Sequence, residues 1–416
     1  MNRSKDFWRI VLFFSVINFV LFAIFKSTLH FSTDMELFYS PLAISLLQGK
    51  GYVIESQFYT HHPPLFPFFL AGIYWLSKHW TMGNPVYAFL VLILQAFSCG
   101  FLYLFSAGFC GRRAGLLSAY LFGLYPFFVV LTATKYSSTP TPLFTFVFFA
   151  SLVLYGRLIK EGGFYLAGLN GFVLGLAALV WAAAVHLWVV FVVNILLNGI
   201  HRKMIVRNFL ILSFLAGFLI PTLSWSYYIY RNTGQKIFVS SALTSSMVDG
   251  LVRHDYMRNY PLVKAAKAKR EAGQLNQPKH IILLYWNALL ADPISTMKFS
   301  CYKSLRAWFG TDSEKYDSAV LLIQIPYLIL ALWGTYVSFG KNQQGAGLLL
   351  AVVLYFWGVT FSALSILRYM IPAMGILMVF AATGILDLFH RTPNAVDKIM
   401  NLKRILHRVE FNVSGG

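Results

Sequence analysis

Residues 7–39 read FWRIVLFFSVINFVLFAIFKSTLHFSTDMELFY. From Phe7 to Leu29 the run is largely apolar, with Arg9 and Lys26 its only charges, and long enough to cross the roughly 30 Å of a bilayer's hydrocarbon core as a helix. It is too long for a signal peptide and lacks a small-x-small cleavage site, so a retained first span is expected. Two carboxylates, Asp34 and Glu36, follow just where the chain leaves the membrane. Apolar runs of this kind recur to the end of the chain, at 86–108, 114–134, 142–159, 164–181, 183–199, 207–230, 318–339, 344–363 and 369–389. Ten spans are expected, and the chain reads as an all-α polytopic membrane protein.

Composition agrees. Of 416 residues, 58% are hydrophobic and 12% charged, with a mean hydropathy of +0.63; soluble domains carry about a quarter charged residues. The net charge of +19 does not indicate nucleic acid, because no nucleic-acid motif accompanies it and basic residues such as Arg112, Arg113, Arg202 and Lys203 stand at span edges. They mark topology and affinity for anionic lipid. With the N-terminus inside, the basic turns all fall on the cytoplasmic side, as does the tail from residue 390 to 416. The three cysteines form no disulfide framework and are expected to pack as small apolar residues.

Two segments then lie outside. In the first, 30–85, a helix is expected over Met35–Gln48, and the apolar stretch Leu65–Trp80 is expected to lie in the interface, since a span there would reverse every later loop. The second, 231–317, separates a membrane module (1–230) from the C-terminal spans (318–389). It is expected to form a small α-rich domain with a strand at Lys236–Ser240, a basic helix at Leu262–Ala272 and a helix pair over Ile281–Leu290 and Pro293–Phe309. Gly171 and Gly175 read as a close helix contact. Lys264, Lys267, Lys269 and Arg270 read as a solvated helix face.

Candidate chemistry gathers in the first loop. Asp34 could take a proton from an acceptor hydroxyl, could share a divalent metal with Glu36, or could simply cap the helix that follows. His61 and His62 could meet a phosphate or a metal, or merely decorate the interface. Neighbouring residues in extended chain point apart, so one of the two at most should face a site.

The loop Asp34 … Tyr39 … Gly49-Lys50-Gly51-Tyr52 … Thr60-His61-His62-Pro63-Pro64-Leu65-Phe66-Pro67 resembles the signature of GT-C glycosyltransferases, nearest the bacterial family 39-like branch related to protein O-mannosyltransferases and ArnT-like aminoarabinose transferases. Further matches follow in order: Gly111-Arg112-Arg113, Pro221 … Trp225 … Arg231-Asn232, Asp292-Pro293 … Lys298 … Lys303 … Trp308 and Arg368-Tyr369 … Pro372. The resemblance implies a GT-C fold with external interfacial helices, and transfer of a sugar, with inversion, from a polyprenyl-phosphate donor to a lipid, glycan or protein acceptor on the external face of a bacterial inner membrane. It implies Asp34 as the base, with Glu36 beside it. It places the donor phosphate near Arg368 and Tyr369, with His62, His61, Lys135 and Arg231 as further candidates. The chain also departs from the pattern: residues 135–142 lack the acidic residue that many relatives carry, and Trp181 stands where they often have arginine. A metal requirement stays open. The rivals are a flippase for lipid-linked glycans and a catalytically silent scaffold; a flippase should carry charges deep within its spans.

Overall fold

The computed structural model describes residues 3–25, 33–80, 85–133, 139–197, 203–253, 257–341, 343 and 345–391. The N-terminal half runs α1 (Arg3–Phe25), a π-helical turn (Met35–Tyr39) leading into α2 (Ser40–Leu47), a hairpin of β1 (Val53–Ile54) and β2 (Gln57–Phe58), and α3 (Leu65–Ser77). There follow α4 (Pro85–Phe109), α5 (Arg112–Gly123), α6 (Pro126–Ala133), α7 (Thr141–Glu161), α8 (Phe164–Val180), α9 (Leu187–Leu197) and α10 (Met204–Thr233). Four helices then form the long polar segment: α11 (Ala242–Val252), α12 (Pro261–Glu271), α13 (Pro278–Ala291) and α14 (Pro293–Arg306). The chain closes with α15 (Asp317–Gly340), α16 (Ala346–Ser362), a short 3₁₀ turn (Leu367–Met370) and α17 (Ile371–Arg391).

Each segment expected to cross the membrane is mainly helical over its described residues. Six helices among the described residues are long and apolar enough to do so, while α8, α9 and α16 are shorter. The stretch 114–134 is divided into α5 and α6 ahead of Pro126, because the residue before a proline is pushed out of the helical region. The chain is a multi-pass, all-α membrane protein. The last helix is its centre: 83% of its most apolar stretch is buried, against 28% for α1, α10 and α15, whose outward faces lie toward lipid. Close approach depends on glycine. A side chain at Gly171 would collide with the Phe214 carbonyl of α10, and Gly175 receives Pro221, so the expected glycine contact joins α8 to α10.

The polar segment has an apolar cluster of its own, including Val248, Leu262, Val263, Ile281 and Phe299. The basic helix and the helix pair form where expected; α11 is additional. The strand expected over Lys236–Ser240 is not formed. Trp225 Nε1 donates to the Val239 carbonyl (3.0 Å) and Ser226 Oγ to that of Ile237 (2.8 Å), so this extended chain finds its partners along α10 rather than in a sheet. The only paired strands among the described residues are β1 and β2, whose turn residues Glu55 and Ser56 both take positive φ, as a tight two-residue hairpin requires. Cys99 packs in the core as expected, but Cys301 is exposed. The basic tail lies outside the described residues beyond Arg391.

One network locks the polar segment to the spans. Arg306 is fully buried at the end of α14. Its Nε reaches Asp317 Oδ2 (3.0 Å), and its terminal nitrogens donate to the carbonyls of Ser365 (2.9 Å) and Thr311 (2.7 Å). Asp317 in turn accepts from the Thr311 amide and hydroxyl, both at 2.7 Å. The Leu367 amide donates to Gly310 O (2.8 Å). Removing the guanidinium strands a carboxylate and two carbonyls. Arg306→Ala should therefore destabilise the protein by about 3–5 kcal/mol, seen as a lower midpoint of thermal unfolding in detergent. A midpoint within a degree of the parent would show that the network carries little of the fold.

Candidate functional site

Asp34 has helical backbone angles (φ −64°, ψ −33°) and makes no cap hydrogen bond. The capping role expected as one alternative is absent, because a cap needs an extended backbone to aim its oxygen at the next amides. The carboxylate is half-buried and its field is felt at Tyr39, Tyr59, His61 and Arg368. Glu36 is exposed. Two residues apart on a helix, side chains do not face each other, so the two carboxylates are not a pair. Among the described residues no three His, Cys, Asp or Glu side chains converge to hold an ion. The donors among the described residues do not make a metal site.

The floor of this region is Tyr39, buried at the end of the π-helical turn. Burial, reinforced by Asp34, keeps its phenol protonated far above the ordinary range, while Arg368 pulls the other way. Tyr39 packs on Phe66 (4.9 Å between centroids) and on His62 (4.9 Å). The loop carrying both histidines is pinned from below by Tyr52, whose hydroxyl donates to the carbonyls of His62 (3.2 Å) and Pro63 (3.1 Å). It is pinned from above by the polar segment: the Ser241 amide donates to Thr60 O (3.0 Å), and Ser240 Oγ to His61 O.

The two histidines have different surroundings. His61 lies 3.4 Å from Ser245 Oγ, and burial lowers its pKa despite the pull of Asp249 and Asp34. His62 Nε2 is enclosed without a hydrogen-bond partner among the described residues. Burial, helped by His61, pushes His62 down to about 3. His62 is therefore neutral near pH 7 and would meet a phosphate as a hydrogen-bond donor, not as a cation.

Arg368 stands in the 3₁₀ turn before α17, opposite this loop. Its side chain is 15% exposed, with Nη1 3.7 Å from Asp312 and Nη2 donating to the Tyr369 hydroxyl at 3.2 Å. Tyr369 leans on Trp181 (5.4 Å). Asp34, Tyr39, His62, Arg368 and Tyr369 thus belong to one constellation. Arg231 does not: it is exposed in the last turn of α10, where a cation suits the helix terminus. Lys135 lies outside the described residues.

Sequence reasoning passed over Asp312, Asp249 and the chemistry of Lys303. Lys303 is 1% exposed on the inner face of α14, with its ammonium 5.4 Å from the Phe361 ring. It sits beside Gly250, which is pressed so closely against the Ala363 carbonyl that no side chain would fit. Burial pushes Lys303 down to about 7. Its one sequence signal was a lysine on the face of α14 otherwise given by Thr296 and Phe299.

No protein-family model matches the sequence, and no curated protein matches it. Among solved structures, the fold is similar to those of polytopic GT-C enzymes. The archaeal oligosaccharyltransferase AglB from Archaeoglobus fulgidus, in complex with an inhibitory peptide and a dolichol-phosphate, matches with a TM-score of 0.60 and 14% identity over 97% of this chain and 52% of that one. The apo form of the Archaeoglobus fulgidus oligosaccharyltransferase matches with a TM-score of 0.60 and 12% identity, covering 95% and 52%. ArnT from Cupriavidus metallidurans bound to undecaprenyl phosphate gives 14% identity over 90% and 76%, but a TM-score of 0.44 is too low to argue from. The chain has a GT-C-like fold and spans about half the length of the oligosaccharyltransferase chains.

Lys303 makes a pH-dependent contribution. With a folded pKa near 7 and an unfolded one near 10.4, the unfolded chain binds the extra proton between those values. Stability therefore rises with pH across that window, and below pH 7 the buried charge costs the fold in full. Lys303→Met should be several kcal/mol more stable than the parent at pH 6, with the gap closing toward pH 10. Thermal unfolding across that range checks it; a constant gap would mean the lysine does not titrate as buried.

Proposed function

We propose that the protein is a glycosyltransferase that moves a monosaccharide from a polyprenyl-phosphate carrier to a lipid, glycan or protein acceptor, at the external face of a bacterial inner membrane. The observation that carries this reading is that the Asp34 carboxylate and the Arg368 guanidinium, 334 residues apart in sequence, both act on the buried Tyr39 and lie within one another's field. The GT-C-like fold supports it, as does the dolichol-phosphate in the AglB complex.

The reaction is a direct displacement. The acceptor oxygen attacks the anomeric carbon and passes its proton to Asp34. The new glycosidic bond forms as the bond between that carbon and the phosphate oxygen breaks, and the electron pair leaves with the polyprenyl phosphate. Attack opposite the leaving group inverts the anomeric centre. Arg368 faces the leaving phosphate, where a planar guanidinium binds two oxygens at once. Its bond to Tyr369 orients the fork, and Asp312 balances its charge until the donor arrives. His62 offers a neutral donor to the same phosphate.

The distribution of charge weighs against a flippase. In the described spans the ionisable residues stand at the ends, as in Asp6 with Arg112 (2.6 Å) and Asp387 with Lys341 (2.9 Å), while buried polar residues along the helices, such as Asn170, Gln95 and Gln324, are neutral.

Asp34→Asn should leave the protein folded and cut transfer by about 10²–10⁴-fold, the contribution of a general base. Turnover with a radiolabelled lipid-phosphate sugar tests this, and a rate near that of the parent would remove Asp34 from the chemistry.

Arg368→Ala should weaken binding of a polyprenyl phosphate, the class of carrier released by the reaction, by roughly ten- to over a hundredfold, the value of a charge-assisted contact worth about 1.5–3 kcal/mol. Arg368→Lys should recover part of the loss, since the charge stays and the fork is lost. Unchanged affinity in a folded Arg368→Ala variant would leave this arginine a structural anchor.

A further inference from the structure

Helices α13 and α14 are built inside out. On α14 the inward residues include Lys303 and Arg306, whereas Ile294, Met297, Tyr302 and Leu305 face outward. Their spacing of three, five and three residues places them along one side of the helix. Ile294 is 68% exposed and Leu305 58%. On α13, Ile282, Leu283, Trp286 and Leu290 are likewise exposed, Leu290 to 68%. Between the helices runs an apolar groove of about 340 Å³, lined by Ile282, Trp286, Leu289 and Met297 among others. A folded domain does not spend its largest apolar side chains on water over two whole helices.

We propose that the α13–α14 hairpin lies in the plane of the membrane, with this face sunk into the headgroup and upper acyl region of the adjoining leaflet. Three observations choose lipid as the occupant. The face joins the part of the molecule that meets the bilayer: the Ser304 carbonyl in the last turn of α14 accepts from Trp357 Nε1 of α16 (2.9 Å). Arg306 fastens the same turn to Asp317 at the start of α15 (3.0 Å), whose outer residues Leu322 and Ile329 are 73% and 60% exposed.

Length is the second. Each helix has 14 residues, about 21 Å, too short to cross some 30 Å of hydrocarbon and suited to lying flat. Chemistry is the third. Trp286 and Tyr302 are residues that settle at the headgroup level, and Lys279 and Lys298 on the same two helices are exposed, where they can reach lipid phosphates. The segment 231–317 also carries thirteen lysines and arginines against seven carboxylates, as anionic lipid would favour.

The hairpin then sets the height of the turn that carries Asp312 and, through Arg306, of the segment that carries Arg368. The inference rests on the multi-pass architecture and not on the assignment of the reaction.

Cys301 is a native reporter on the exposed side of α14. The full-length protein, with Cys99→Ala and Cys110→Ser, is spin-labelled at Cys301 in nanodiscs of phosphatidylcholine and phosphatidylglycerol. Parallel samples carry Leu290→Cys on α13 or Lys264→Cys on α12, each with Cys301→Ser. Collision with oxygen, which concentrates in lipid, is compared with collision with a water-soluble nickel chelate. The labels at 301 and 290 should favour oxygen several-fold over the label at 264. Nickel access at 301 and 290 equal to that at 264 would overturn the proposal by placing the face in water. Shielding of both positions from both agents would overturn it in favour of a protein partner or a second copy. Loss of transfer in any of these variants would not alter the reading, since the collision ratios report depth and not catalysis.

Discussion

One fully buried guanidinium ties the polar segment to the membrane helices. Arg306 is buried completely, and taking such a cation out of water costs several kcal/mol unless its donors find good acceptors. Here they find the Asp317 carboxylate and the carbonyls of Ser365 and Thr311. Those partners come from the start of α15, from the turn after α14 and from the chain just before Arg368. The network therefore makes one body of three stretches that would otherwise be independent loops. Asp312 lies in the turn after α14 and Arg368 follows the stretch that carries Ser365, so the network sets the positions from which the two meet.

The region around Tyr39 carries little mobile charge. His61 and His62 are both driven toward neutrality by burial, and burial raises the pKa of Tyr39, Tyr52 and Tyr59. What remains is a carboxylate on the loop after α1 and a guanidinium ahead of α17. Fixed charges in a poorly solvated site act strongly on charge that develops between them, without reorganising as it does so. At the opposite ends of the helices the charges serve packing: Asp6 with Arg112 and Tyr103, and Asp387 with Lys341 and Arg391.

The departures from the GT-C pattern acquire a physical meaning. Trp181, where the GT-C pattern often has arginine, fills the space between Phe144 (4.9 Å) and Tyr369 (5.4 Å). This side of the constellation is thus aromatic and not cationic. With no carboxylate in residues 135–142 and Glu36 turned away from Asp34, Asp34 is the carboxylate of the first loop that faces the constellation.

Burial by a bilayer is a matter of local composition, summed over some twenty residues, so the apolar segments, the short apolar helix at 65–77 and the basic helix were all legible in the sequence. Asp34, His62, Arg368 and Tyr369 were legible through their resemblance to a known pattern. The faces of α13 and α14 were not, because exposed and buried residues there reverse the usual preference and only the packing shows which side meets protein. The extended chain at 236–240 read as a strand because its residues suit one; α10 supplied its partners instead. Nothing local in the sequence marked Arg306, Asp312 or Lys303 as buried or paired. Their roles depend on partners elsewhere in the chain, 59 residues away for Arg306 and Ser365. Local sequence determined which segments become helices in lipid, and tertiary structure decided which charges are buried together, because desolvation and pairing are set by neighbours that only the folded chain brings near.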